Sequence, residues 1–162
     1  MFGSREHSER GEHRITLTLA SSLASVDQVE QTAEHLAAEA GIDEDARFGI
    51  TMAVREAAAN AVFHGNKGNS AKHITASFEN TGTSLIFCIA DEGEGLDPDT
   101  LPDPLAPENL MRGSGRGIFL IRSFMDEVHF RRLEPGTEMT LIKRFTPEAN
   151  TGTNTGNQET KR

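Results

Sequence analysis

A single cysteine, the absence of any long apolar run and a deficit of basic residues set the first limits on this chain of 162 residues. Cys88 has no second cysteine to pair with, which excludes an intramolecular disulfide. It lies inside Leu85-Ile86-Phe87-Cys88-Ile89-Ala90 and reads as a small buried hydrophobe, in keeping with a reducing compartment. No stretch approaches the ~18 consecutive apolar residues that a membrane span needs. Met1 to Arg14 is charged and lacks the apolar region of a signal peptide, so the chain is expected in the cytoplasm without membrane attachment. Lys and Arg number 16 against 25 Asp and Glu, a formal charge of −9. Binding to a phosphate backbone relies on clustered cations that release counterions, so nucleic acid is not an expected partner.

What is present is enough for one core. Residues 1–13 and 147–162 are polar, have almost nothing to bury and are read as disordered tails around a single domain over 14–146. Ile15-Thr16-Leu17-Thr18-Leu19 alternates with period two and predicts a strand. A helix follows, with Ser25 or Asp27 as N-cap, Val29, Ala33, Leu36, Ala37 and Ala40 at helical spacing, and Gly41 as C-cap. A second helix is predicted from about Asp43 to Phe63, stopped by His64-Gly65-Asn66. Two strands, about 73–79 and 84–90, are joined by Asn80-Thr81-Gly82-Thr83, a good hairpin turn. From Asp91 to Gly117 there is no periodicity, and a loop that long inside a small domain is usually functional. A short helix over 118–125 and two more strands, about 127–133 and 139–145, complete the order. The expectation is an α+β, two-layer sandwich: a mixed, mostly antiparallel sheet with helices on one face and a loop as lid.

Three clusters carry possible chemistry. On the second helix Glu56, Asn60 and His64 are four residues apart and line one edge. Glu56 and Asn60 interrupt a face of alanines, where a carboxylate and an amide cost free energy unless paired. A solvent-facing edge is one reading of them. The other is a general base, Glu56, beside an oxygen ligand for Mg²⁺, Asn60, since Mg²⁺ shares its octahedral shell with substrate phosphates. Asp91-Glu92-Gly93-Glu94-Gly95 follows the strand that ends at Ala90. The aspartate there can accept a hydrogen bond from an exocyclic amine, and the glycines allow close approach of a flat ring; an acidic turn explains the same residues. Gly113-Ser114-Gly115-Arg116-Gly117 precedes a helix, where unobstructed N–H groups and the helix dipole favour phosphate; a glycine-rich linker is the plainer reading. The dinucleotide fingerprint is rejected, because the spacing is G-x-G-x-G and a loop stands where a strand should be.

In this order, Glu56-Ala57-Ala58-Ala59-Asn60-Ala61-Val62-Phe63-His64-Gly65, Asp91-x-Gly93-x-Gly95 and Gly113-Ser114-Gly115-Arg116-Gly117-Ile118 resemble the N, G1 and G2 boxes of the GHKL (Bergerat-fold) ATPases. The short chain, the His-Gly after the N box and the run from Gly115 to Val128 most resemble the anti-sigma factor serine/threonine kinases of bacterial partner-switching systems, over roughly Ile15 to Phe145. The resemblance implies ATP and Mg²⁺ as cofactors. It implies Glu56 as the base for an attacking hydroxyl, Asn60 as the Mg²⁺ ligand and Asp91 as the partner of the adenine amine. Gly93 and Gly95 would shape the adenine pocket, and residues 96–112 would form the lid. Gly113, Gly115 and Gly117 would wrap the phosphates, Arg116 and Arg112 are candidates for their charge, and Thr137 for a contact to adenine. The implied partners are a STAS-domain anti-anti-sigma protein, a sigma factor and a second copy of the chain. His64 is assigned to the helix stop. A nucleotide-gated binding module and a detached histidine-kinase catalytic domain are the alternatives; Glu56 favours an enzyme over a pure binder, and the G2 region disfavours the histidine-kinase reading.

Overall fold

Period-two alternation places one row of apolar side chains on one face of each strand, and the strand register turns those rows into a layer. A computed structural model describes residues 3–9, 12–94 and 113–147. The strands are β1 (Gly3–Glu9), β2 (Glu12–Ala20), β3 (His73–Asn80), β4 (Ser84–Ala90), β5 (Glu127–Arg132) and β6 (Thr137–Arg144). Their order in the sheet is β1-β2-β3-β4-β6-β5, and all five ladders are antiparallel. Leu17 pairs with Ala76, Leu19 with Ile74, Phe78 with Phe87, Phe87 with Leu141 and Ile89 with Met139, all of them buried. The Phe78 and Phe87 rings meet edge to face, centroids 6.1 Å apart, the arrangement their quadrupoles favour.

The helices are α1 (Leu23–Glu39), α2 (Glu44–Ala59) and α3 (Gly113–Phe124). Val26, Val29, Ala33, Leu36 and Ala37 of α1 and Ile50, Ala53, Val54, Ala57 and Ala58 of α2 share one hydrophobic cluster with the apolar rows of the sheet. Arg55 of α2 reaches Asp27 at 2.7 Å and Glu30 at 2.5 Å on α1, and Arg47 reaches Glu34 at 2.9 Å. These pairs fix the outer register of two helices whose packing comes from the apolar stripe.

Several expectations change. Helix α1 is capped by Ser22, whose hydroxyl accepts from the Ser25 amide at 3.2 Å; neither Ser25 nor Asp27 caps it, because Ser25 is already inside the helix and buried. At its other end Gly41, with φ 79°, donates to Ala38 while Ile42 donates to Ala37, the paired bonds that a glycine after a C-cap makes possible. The segment 1–13, read as a tail, contains β1 and the start of β2; the polar composition hid a ladder built from main-chain bonds, which need no apolar side chain. Of the predicted C-terminal tail only Pro147 is described. The largest shift is in α3, which opens at Gly113, five residues before the predicted Ile118, so that the G2 glycines are helical.

Candidate active site

Helix α2 does not stop at Ala59. It widens into a π-helical turn, Asn60–Gly65, a rare geometry found often at functional sites. The turn closes through the Asn66 amide, which donates to Ala61 at 2.9 Å. One continuous rod therefore carries Glu56, Asn60, His64 and Gly65, with Glu56 and Gly65 separated by roughly 13 Å at helical rise.

At one end of this rod Glu56 is half-buried and faces α3. A β-carbon on Gly117 would collide with its carboxylate, so the glycine of the G2 box is what lets the helix sit against it. Burial holds the Glu56 carboxyl above the ordinary carboxylate range, and His64 opposes that shift in part. Asn60, also half-buried, begins the π turn one helical turn further on. Gly113 and Gly115 lie in the first turn of α3, where the N–H groups have no partner within the helix. Gly117 lies beyond them and serves by its contact with Glu56, while Arg116 is exposed. The free amides that were expected ahead of the helix are thus those of its own first turn.

At the other end the N and G1 boxes are joined to the start of β6. The Asp91 amide donates to the Thr137 carbonyl at 2.9 Å, and Asp91 Oδ1 accepts from the amides of Gly93 at 2.9 Å and Thr137 at 3.2 Å. Oδ2 lies against Gly65, where a β-carbon would strike the carboxylate. Gly93 packs so closely on the Gly65 carbonyl, and Gly136 on the Asp91 carbonyl, that neither position admits a side chain; Gly136 also has φ 110°. Burial pushes the Asp91 carboxyl up, against the pull of the Gly93 and Thr137 amides and of Lys72. Thr137 was expected to reach the nucleotide; the structure has its backbone, through both N–H and C=O, hold Asp91. Gly95, Arg112 and the lid segment 96–112 lie outside the described residues.

Three residues have positioning roles that the sequence does not assign to them. Gly65 closes the N-box segment, Asn66 is expected only at the helix stop and Gly136 has no site role in the sequence reading, yet all three hold Asp91 or its neighbours. The one signal was their position at the end of, or beside, the quoted segments. The described residues contain no group of three or more His, Cys, Asp or Glu placed to hold a metal.

Residues 19–143 match the model of the histidine kinase-like ATPase domain. The chain belongs to this family. Family membership accounts for the order of the three boxes and for the antiparallel sheet with helices on one face. The serine-protein kinase RsbW of Staphylococcus epidermidis is 33% identical over 136 residues, covering 80% of this chain and 85% of that protein. The Staphylococcus aureus RsbW is 32% identical over the same shares. RsbW of Listeria innocua serovar 6a is 30% identical over 121 residues, 71% of this chain and 77% of that protein. Among solved structures, a histidine kinase domain from the Erythrobacter litoralis EL346 blue-light activated histidine kinase aligns with a TM-score of 0.46 and 16% identity, over 79% of this chain and 64% of that chain. The placement among GHKL ATPases, beside the serine kinases, is borne out. No helix among the described residues is long and apolar enough to cross a membrane.

Proposed function

We propose that this chain is an ATP-dependent serine/threonine protein kinase that binds Mg-ATP, phosphorylates a STAS-type anti-anti-sigma partner and thereby decides whether a sigma factor is held or released. The observation that carries this reading is the placement of Glu56. A half-buried carboxyl whose pKa burial raises, on the helix that also bears Asn60 and pressed against the G2 glycine, is suited to take a proton as a general base.

The nucleotide lies along the α2 rod. Asp91 Oδ2 accepts from the adenine amine, Gly93 and Gly95 flank the ring, and the phosphates reach the first turn of α3 at Gly113 and Gly115, with Arg116 compensating charge. Asn60 holds Mg²⁺, which supplies charge neutralisation on the phosphates. The partner's serine or threonine hydroxyl gives its proton to Glu56. Its oxygen bonds to the terminal phosphorus as the bond from that phosphorus to the bridging oxygen breaks, and ADP leaves with the electron pair. The kinase works in the cytoplasm as a homodimer.

The test is transfer of label from the terminal phosphate of Mg-ATP to a purified STAS-domain protein. The unaltered chain should label a serine or threonine, and Glu56→Ala and Asn60→Ala should each lose the transfer by ~10²-fold or more. Nucleotide binding without transfer to any STAS partner would instead make the chain an ATP-gated binding module, and label on a histidine would move it to the histidine kinases.

A further inference from the structure

Asn66 is 1% exposed, and every polar atom of its side chain is engaged. Nδ2 donates to Ser21 Oγ at 2.7 Å and to the His73 carbonyl at 3.0 Å, while Oδ1 accepts from the Glu92 amide at 2.8 Å. Ser21 in turn donates to the Lys72 carbonyl at 2.8 Å, and Glu92 Oε1 accepts from the His73 amide at 2.6 Å. Four separate pieces of chain converge on this one amide: the end of β2, the end of the π turn, the start of β3 and the loop after β4. A structural asparagine at a helix stop needs only the contacts to its own turn and to β3. The bond to Glu92 is different, since it reaches the peptide that immediately follows Asp91.

The neighbouring residue works on the same loop. Gly65 presents its Cα to Asp91 Oδ2 and its carbonyl to Gly93. Gly65 and Asn66 together therefore touch three consecutive residues, 91, 92 and 93. They tie the carboxylate at one end of the site to the rod that carries Glu56 and Asn60 at the other. A buried amide acceptor is well suited to this, because its loss leaves the Glu92 N–H without a partner in a half-buried place and frees the loop to shift.

We infer that Asn66 is a positioning residue for base recognition: through its Oδ1 bond to the Glu92 amide it fixes Asp91 in the orientation that accepts from an adenine amine. This rests on the reading of Asp91 as the adenine partner. Guanine offers a carbonyl oxygen where adenine offers the amine, so a fixed carboxylate discriminates between them and a loosened one discriminates less.

The experiment measures affinity of the full chain for ATP, GTP and inorganic tripolyphosphate, alongside the melting temperature. For Asn66→Ala the expected result is a loss of ~10-fold in the preference for ATP over GTP with tripolyphosphate binding unchanged. Asn66→Asp keeps the Oδ1 acceptor and loses the donors, and Ser21→Ala removes one of those donors' partners; both should melt lower yet keep the preference. An Asn66→Ala protein that is folded and keeps the full ATP preference, or that loses ATP and tripolyphosphate alike, overturns the inference. Asp91→Asn separates the two claims: if it leaves the preference for ATP intact, the adenine reading itself fails. Should Asn66→Ala not fold, amide hydrogen exchange in the unaltered, nucleotide-free chain decides. Protection of Glu92 matching that of β4 upholds the inference, and exchange at open-loop rates overturns it.

Discussion

Glu56 is placed where its charge is unwelcome, and this has a measurable cost. Its unfolded-state pKa is the ordinary 4.5 and its folded pKa is higher because burial disfavours the carboxylate. Between those two values the folded chain binds more protons than the unfolded chain, so stability falls as pH rises through that window. Glu56→Gln removes the charge. The variant is expected to melt above the unaltered chain at about pH 8, the gap closing near pH 4 where both are uncharged, while phosphoryl transfer drops ~10²–10⁴-fold. Melting curves across pH check the first part, and an equal or lower melting temperature of the variant at about pH 8 contradicts it. Lys67, next to the site, has φ 54°, a left-handed backbone that a side chain tolerates poorly. Lys67→Gly should raise unfolding free energy by up to ~1 kcal/mol in urea titrations, with ATP affinity unchanged.

Among the elements, α2 was legible in most of its length and misleading at its end. The start near Asp43 and the stop at His64-Gly65-Asn66 were legible, and Asp43 caps the helix; the π turn between Asn60 and Gly65 was not legible, because a widened turn leaves no mark in apolar spacing. It also means that the four-residue spacing of Glu56, Asn60 and His64 does not translate into a straight edge of an α-helix. Helix α3 failed in the opposite sense. Gly113, Gly115 and Gly117 have poor helix propensity, so the sequence reads as loop, but Gly117 is selected for closeness to Glu56, and packing overrides propensity. A similar closeness operates where α2 meets α3: a β-carbon on Gly49 would stand 2.5 Å from the Phe124 ring. Gly49→Ala, a change that helix propensity alone would favour, should therefore destabilise the chain by ~1–3 kcal/mol. Equilibrium denaturation measures it; a stabilised variant would mean that α3 moves aside freely.

For the whole molecule, the sheet turns local signals into a site. The hairpin of β3 and β4 was visible in Asn80-Thr81-Gly82-Thr83, and the apolar rows gave the core face. The other neighbour of β4, strand β6, was not visible, because register between β4 and β6 is set by packing between distant segments. That register is what sets Thr137 opposite Asp91 and brings Gly136 under its carbonyl. The tail reading of 1–13 failed for a related reason: β1 is joined to β2 by backbone pairing that composition does not encode.

The central claim is that one nucleotide lies along α2 from Asp91 to Glu56, and titration calorimetry with ATP, with and without Mg²⁺, tests it most directly. The unaltered chain should bind Mg-ATP with a single site. Asp91→Asn should weaken ATP by ~10-fold or more without affecting tripolyphosphate, and Asn60→Ala should abolish the gain in affinity that Mg²⁺ brings. Mg-ATP binding that neither substitution alters would contradict the account.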